Sequence, residues 1–184
     1  MSIYRIGFDF ERYYSFSIDN AELGRKMPDF SPRFKAQARK STWVTPVAKF
    51  YKSENYKGKG KSLPDISTCY AGNLVLNGKA YDALSERLSF LGEFLGVTHE
   101  GEDYYIFNNL TVIDDSTIDE QESEILKHDE IHVGVKTLVF NDSATFPLVF
   151  KTHSDRLLLS YCDDAFYEEV AKLGLTGLVF DVVE

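Results

Sequence analysis

The segment NLVLNGKAYDALSERLSFLGEFLGV, Asn73 to Val97, carries the clearest local signal in this chain of 184 residues. An apolar run, Leu74-Val75-Leu76, leads into Asn77, whose side-chain oxygen is suited to accept a backbone N–H from the first turn of a helix. Tyr81, Leu84, Leu88, Leu91 and Leu95 follow at helical spacing, which predicts a single apolar stripe on a helix of about four turns. Gly92 and Gly96 are the candidates for its end.

On either side of this segment the pattern favours strands. DYYIFNNLTVID at 103–114 is rich in aromatic and β-branched residues, as are Val133–Phe140, Phe146–Lys151 and Leu157–Tyr161. A second helix is predicted within CDDAFYEEVAKLGLTG, where Phe166, Val170 and Leu173 share one face. Asp163 and Asp164 sit at its positive N-terminal end, and Gly174 can supply a left-handed cap. Leu178–Val183 reads as a closing strand. Near the start, Tyr4, Ile6, Phe8 and Phe10 alternate, and Tyr14, Phe16 and Ile18 repeat the alternation. Residues 19–42, with Pro28 and Pro32, read as irregular, and Trp43–Tyr51 reads as a strand that Pro46 places at an edge. The expected class is α+β, mostly antiparallel sheet with two main helices, in one domain or two intimate lobes.

Charge divides the chain. Residues 1–62 hold 13 Lys/Arg against 6 Asp/Glu, whereas the remainder holds 7 against 23. This predicts a basic, β-rich lobe over 1–64 and an acidic α+β lobe over 65–184. With 43% apolar residues the chain can build a sizeable core, which excludes disorder over its whole length. No segment approaches the roughly 20 apolar residues of a membrane helix, and the first residues do not read as a secretory signal. Cys69 and Cys162 form no disulfide framework, so both are expected to be small buried hydrophobes in a reducing cytoplasm.

Motifs for chemistry are incomplete. HDEIH at 128–132 spaces two histidines like a zinc helix but has Asp129 where the protease motif requires Glu, and no third ligand is marked. GKGKS at 58–62 lacks both the upstream glycine and the following helix of a phosphate loop. Cys162 precedes a helix, yet Asp163 and Asp164 oppose thiolate formation. No catalytic residue, metal or cofactor is expected. The basic stretch Arg33–Lys61, interleaved with Phe34, Trp43, Phe50, Tyr51 and Tyr56, has the composition of a nucleic-acid surface, with Lys57, Lys59 and Lys61 in its loop. The overall acidity and the alternative of a core role for those aromatics weigh against that reading, which stands second, ahead of an enzyme. The acidic run holds Asp114, Asp115, Asp119, Glu120, Glu122, Glu124, Asp129 and Glu130. It is either a solvated loop or a recognition surface that steers a basic protein.

From Asn73 onward the succession of motifs resembles the immunity protein eleven family of bacterial polymorphic-toxin systems. The resemblance rests on the capped helix followed by Gly92-Glu93-Phe94, the strand Tyr105-Ile106-Phe107-Asn108, the pair Phe150-Lys151, and the ending Gly174-Leu175-Thr176-Gly177-Leu178-Val179-Phe180. It covers about 110 residues and leaves 1–62 unmatched. It implies a cytoplasmic antidote that binds a cognate toxin, expected to be basic, in a stoichiometric complex, with no enzyme activity and no membrane. The motif residues would be structural: Asn77 a cap, Gly177 a turn, Phe180 a core-facing strand residue. The acidic run is then the candidate interface, with Tyr104 or Tyr105 as aromatic anchors. The other readings are a nucleic-acid-binding module and an enzyme that reverses toxin damage.

Overall fold

The computed structural model describes residues 2–52, 62–128, 131–141 and 144–183. The loop lysines at 57, 59 and 61, Tyr56, Asp129 and Glu130 lie outside them.

Twelve strands and three α-helices are formed among the described residues. The strands are β1 (Ile3–Phe8), β2 (Ser15–Ile18), β3 (Ala48–Tyr51), β4 (Ile66–Cys69), β5 (Asn73–Leu76), β6 (Gly92–His99) and β7 (Glu102–Asn109), followed by β8 (Glu124–His128), β9 (Ile131–Thr137), β10 (Val149–Phe150), β11 (Tyr161–Asp163) and β12 (Leu178–Val183). The helices are α1 (Asn20–Lys26), α2 (Gly78–Leu88) and α3 (Asp164–Lys172). Two antiparallel four-stranded sheets, ordered β10-β11-β1-β12 and β4-β5-β7-β6, accompany two antiparallel pairs, β2-β3 and β8-β9. The class is α+β.

Strand alternation sorts side chains between three cores. Tyr4 and Ile6 of one sheet, and Leu74, Leu76 and Phe107 of the other, meet α2 and α3 through Leu84, Leu88, Phe166 and Val170. On the opposite face of the second sheet, Val75, Leu95, Val97, Tyr104 and Ile106 pack against Phe16, Ile18, Leu23, Phe34 and Ala48. Behind the first sheet, Ile3, Phe150 and Tyr161 pack against Ile113, Ile118, Leu138 and Phe146. The change of charge near residue 64 therefore falls inside shared structure. Strand β1 pairs with both β11 and β12, and the second core draws on both sides of that boundary.

Helix α2 begins as expected, with Asn77 Oδ1 accepting from Ala80 N at 2.9 Å, but it ends at Leu88. Leu95 lies in β6, where it and Val97 alternate inward to the second core. Gly92 opens that strand so close to β7 that a Cβ would stand 2.3 Å from the Asn108 carbonyl oxygen. Residues 19–42 are not wholly irregular. Asp19 accepts from Ala21 N and Glu22 N and caps α1. The expected Trp43–Tyr51 strand shortens to β3, and Trp43 instead donates its indole N–H to the Gly96 carbonyl at 2.8 Å. The expected Leu157–Tyr161 strand is displaced to β11, because Arg156 and Leu157 adopt left-handed φ values of 63° and 60°. The acidic run also contains β8, paired with β9, which spans Ile131–Thr137 where Val133–Phe140 was expected.

The motif residues meet at two keystones. Asp65 accepts from Asn77 Nδ2 at 3.0 Å, from Thr176 N at 3.0 Å, and from the Thr176 hydroxyl, so the cap of α2 and the turn before β12 share one carboxylate. Burial alone would raise the Asp65 pKa, but these bonds and Lys79 hold it below the ordinary value. Glu93 receives Asn108 Nδ2 at 2.8 Å and the backbone N–H groups of Arg39 and Lys40, tying the segment before β3 to the sheet. Glu93→Ala is expected to lower stability by about 2 kcal/mol, because charge-assisted bonds are lost and the part-buried Arg39 amide and Asn108 side chain lose this acceptor. Amide exchange at Arg39 and Lys40 should accelerate with it. Unchanged exchange at those two amides would refute the tether.

Candidate functional site: an acidic surface

After β7 the chain runs beside Lys151, with Ile113 N donating to the Lys151 carbonyl and Lys151 N donating to the Thr111 carbonyl, both at 2.9 Å. Ile113 and Ile118 are buried in the third core, and this forces the polar turn between them outward. Asp114 caps that turn by accepting from Ser116 N at 2.8 Å. Bonds from the Ser116 side chain and amide hold its carboxyl below the usual range. Asp115 accepts from the hydroxyls of Thr152 at 3.3 Å and Ser154 at 3.4 Å. Asp119 accepts from Gln121 N and Glu122 N.

Three of the predicted carboxylates thus hold backbone or neighbouring hydroxyls. Glu120 and Glu122 are exposed and have no ion-pair partner among the described residues. Glu124 is exposed too and meets Lys136 across the hairpin at 2.9 Å, an exposed pair of little energetic weight. The surface that results is a turn over the buried Ile113 and Ile118, continued by Glu124 at the start of the β8-β9 hairpin.

The tyrosines do not join this surface. Tyr104 is a core residue, 7% exposed, with its ring 5.3 Å from Phe50. Burial first, then Glu102 and Glu100, push its pKa up. Tyr105 points to the other face of β7 and stacks on Tyr81 at 3.8 Å. Both lie in the half of β7 remote from Asn109, with Tyr105 about 14 Å of strand from that end, and the acidic segment starts only beyond it at Asp114. The alternation of β7 explains the difference, since only one of two adjacent residues can face a given core.

The aromatics of the basic stretch are also interior. Phe34 is fully buried and Trp43 and Phe50 pack on the second core, which removes them as stacking platforms for bases. Tyr51 alone among those described is exposed. Among the described residues no group of three or more His, Cys, Asp or Glu side chains could hold a metal ion. Cys69 and Cys162 are free and sit in different cores. Burial pushes both thiols up, and Asp163 and Asp164 push Cys162 further, so neither is a ready nucleophile. No helix among the described residues is long and apolar enough to cross a membrane.

Sequence reasoning missed the separation of structural from free carboxylates. It also missed Asp65, and it missed the buried Lys151, whose ammonium donates to the Ala71 carbonyl at 2.5 Å. A usable signal for Asp119 was present in the spacing Asp119-Glu120-Gln121, since an aspartate two residues before an amide readily forms such a turn. Comparison of the chain with models of known protein families finds no match, and comparison with characterised proteins finds none either.

Proposed function

We propose that this chain is an immunity protein that neutralises a cognate toxin in the cytoplasm by forming a stoichiometric complex. The observation that carries the reading is the ordered set of motifs from Asn73 to Phe180 resembling the immunity protein eleven family. The acidic surface supplies the interface in this reading, with Glu120, Glu122 and Glu124 steering a basic toxin face by complementary charge. Covering a basic cleft needs no chemistry from the inhibitor, so a binder of this kind acts through its surface alone.

The deciding experiment is co-expression with the C-terminal domain of the toxin-bearing protein encoded next to it. Rescue of growth together with a one-to-one complex on purification is the expected result. If both fail, the proposal falls. For the interface, the triple variant E120K/E122K/E124K should slow association about 10- to 100-fold at low salt, with the deficit shrinking as salt rises. Asp114 and Asp119 are left intact in this variant because their carboxylates hold turns. An unchanged association rate would remove the acidic surface as the toxin-binding face.

A further inference from the structure

Two short segments far apart in sequence present cations to one cavity. The first is Arg33-Phe34-Lys35. Phe34 is drawn wholly into the second core, so its chain neighbours Arg33 and Lys35 are turned out to solvent. The second is His153 to Leu157. Here Asp155 and Leu157 are buried, and Arg156 between them is exposed. Arg33, Lys35, His153 and Arg156, with Leu157 and Leu158, line a cavity of about 270 Å³.

Two properties separate this cavity from two other surface cavities. The cavity at Arg5 contains Asp181, which pairs with Arg5 at 2.7 Å, and the one at Lys26 contains Asp29. The third is lined by two guanidiniums, an ammonium and an imidazole with no carboxylate among them. None of the four makes an ion pair among the described residues. The nearest acid in sequence, Asp155, is buried and accepts from Leu158 N at 3.1 Å. Asp115 stands beside the segment on the hydroxyls of Thr152 and Ser154, but the cavity lining itself holds four basic groups and no carboxylate, in a chain of net charge -9, and so offers donors to an anion.

The backbone is also committed to this arrangement. Phe34, Lys35 and Ala36 have φ values of 49°, 55° and 49°, and Arg156 and Leu157 have 63° and 60°. Left-handed conformations in residues other than glycine are costly and persist where surrounding structure over-determines them, as it does at ligand clamps. Buried anchors on both segments therefore fix the backbone from which these side chains extend.

We propose that Arg33, Lys35, His153 and Arg156 form a binding site for a phosphate-type dianion, the phosphate monoester group of a small molecule. Guanidinium forks match phosphate oxygens in pairs, and the compact lysine ammonium and the imidazole can add donors. The groups line one cavity together with Leu157 and Leu158. A nucleic-acid backbone would instead call for a charged stripe with exposed rings, and the rings of this region are buried.

The test is a titration of the full chain with inorganic phosphate, replacing chloride at constant ionic strength, followed by amide chemical shifts. Saturable shifts confined to residues 33–36 and 153–158 are expected. The double variant R33A/R156G, whose glycine suits the left-handed backbone at 156, should weaken binding about tenfold or more. K172A, on the last turn of α3, should bind like the parent. A response that does not saturate, or that survives in R33A/R156G with the fold intact by circular dichroism, overturns the site. Binding of a short single-stranded oligonucleotide without any binding of inorganic phosphate overturns the ligand class.

Discussion

Gly177→Ala is expected to lower stability by about 4 kcal/mol, enough to move the melting temperature down by about 8–16 °C in a domain of this size. At φ 109° an L-residue is strained, and a Cβ would lie 2.1 Å from the Ile66 carbonyl oxygen and 2.5 Å from Pro64 Cβ. Neither neighbour can retreat cheaply. Ile66 N donates to the Thr176 carbonyl and Asp9 N to the Gly177 carbonyl, both at 2.9 Å, so a shift at 177 disturbs the pairing of three segments. The same substitution at Gly24, in the middle of α1 with nothing within 4 Å, should raise stability by about 0.5–1 kcal/mol through helix propensity and a less flexible unfolded chain. Opposite signs for one chemical change are the measurable outcome, read by thermal and urea unfolding. A loss below about 1 kcal/mol at Gly177 would contradict the close approach.

Gly177 was visible in the sequence as part of a turn motif, but its severity was not, because the atoms it would strike belong to residues more than a hundred positions away. The same distinction runs through the fold. Asn77 and the stripe of Tyr81, Leu84 and Leu88 are local signals, and α2 starts where they place it. Leu91 and Leu95 continued the same spacing by coincidence. Inward alternation at Leu95 and Val97 satisfies a strand equally well, and sheet partners decide between the two. Helix α1 buries only Leu23, so no apolar stripe announced it, although Asp19 was a legible cap. Leu157-Leu158-Leu159 looked like a strand because composition does not reveal a left-handed backbone.

For the surface, the sequence located the carboxylates but not their duties. Asp114, Asp115 and Asp119 are occupied by hydrogen bonds that depend on local geometry, whereas Glu120 and Glu122 are exposed without an ion pair among the described residues and Glu124 meets Lys136. Tyr104 was chosen as an anchor on nearness in sequence, which the alternation of β7 overrides. The basic stretch reversed its meaning more completely. Phe34 belongs to the interior, and that burial is what displays Arg33 and Lys35 beside His153 and Arg156. No reading of the 33–61 segment alone could find that pairing, since half of it arrives from beyond residue 150.

Lys151→Met should remove one pH-dependent contribution to stability, a contribution that favours the folded parent as mildly alkaline pH rises. Lys151 has no solvent exposure, and burial draws its pKa down to about 8, with Cys69 and Asp155 opposing the shift. In the unfolded chain a lysine titrates near 10.4, about the reference value. Below pH 8 both states carry the proton, and the folded state bears the whole cost of a buried ammonium. Between about 8 and 10.4 the unfolded chain binds more protons, so stability rises with pH, by about 3 kcal/mol in all. The buried thiols act the other way. Their raised pKa values keep Cys69 and Cys162 protonated when folded, and this contribution is lost as pH climbs past about 8.5. The parent's profile alone therefore mixes two trends. Subtracting the Lys151→Met profile cancels the thiols, which are present in both chains, along with the constant cost of an unpaired Ala71 carbonyl. The difference in unfolding free energy, parent minus variant, should climb by about 3 kcal/mol from neutral pH to the lysine's ordinary range. A flat difference would mean that the ammonium reaches water. The link it makes between the β4-β5 turn and the segment after β10 would then not be the buried bond drawn here.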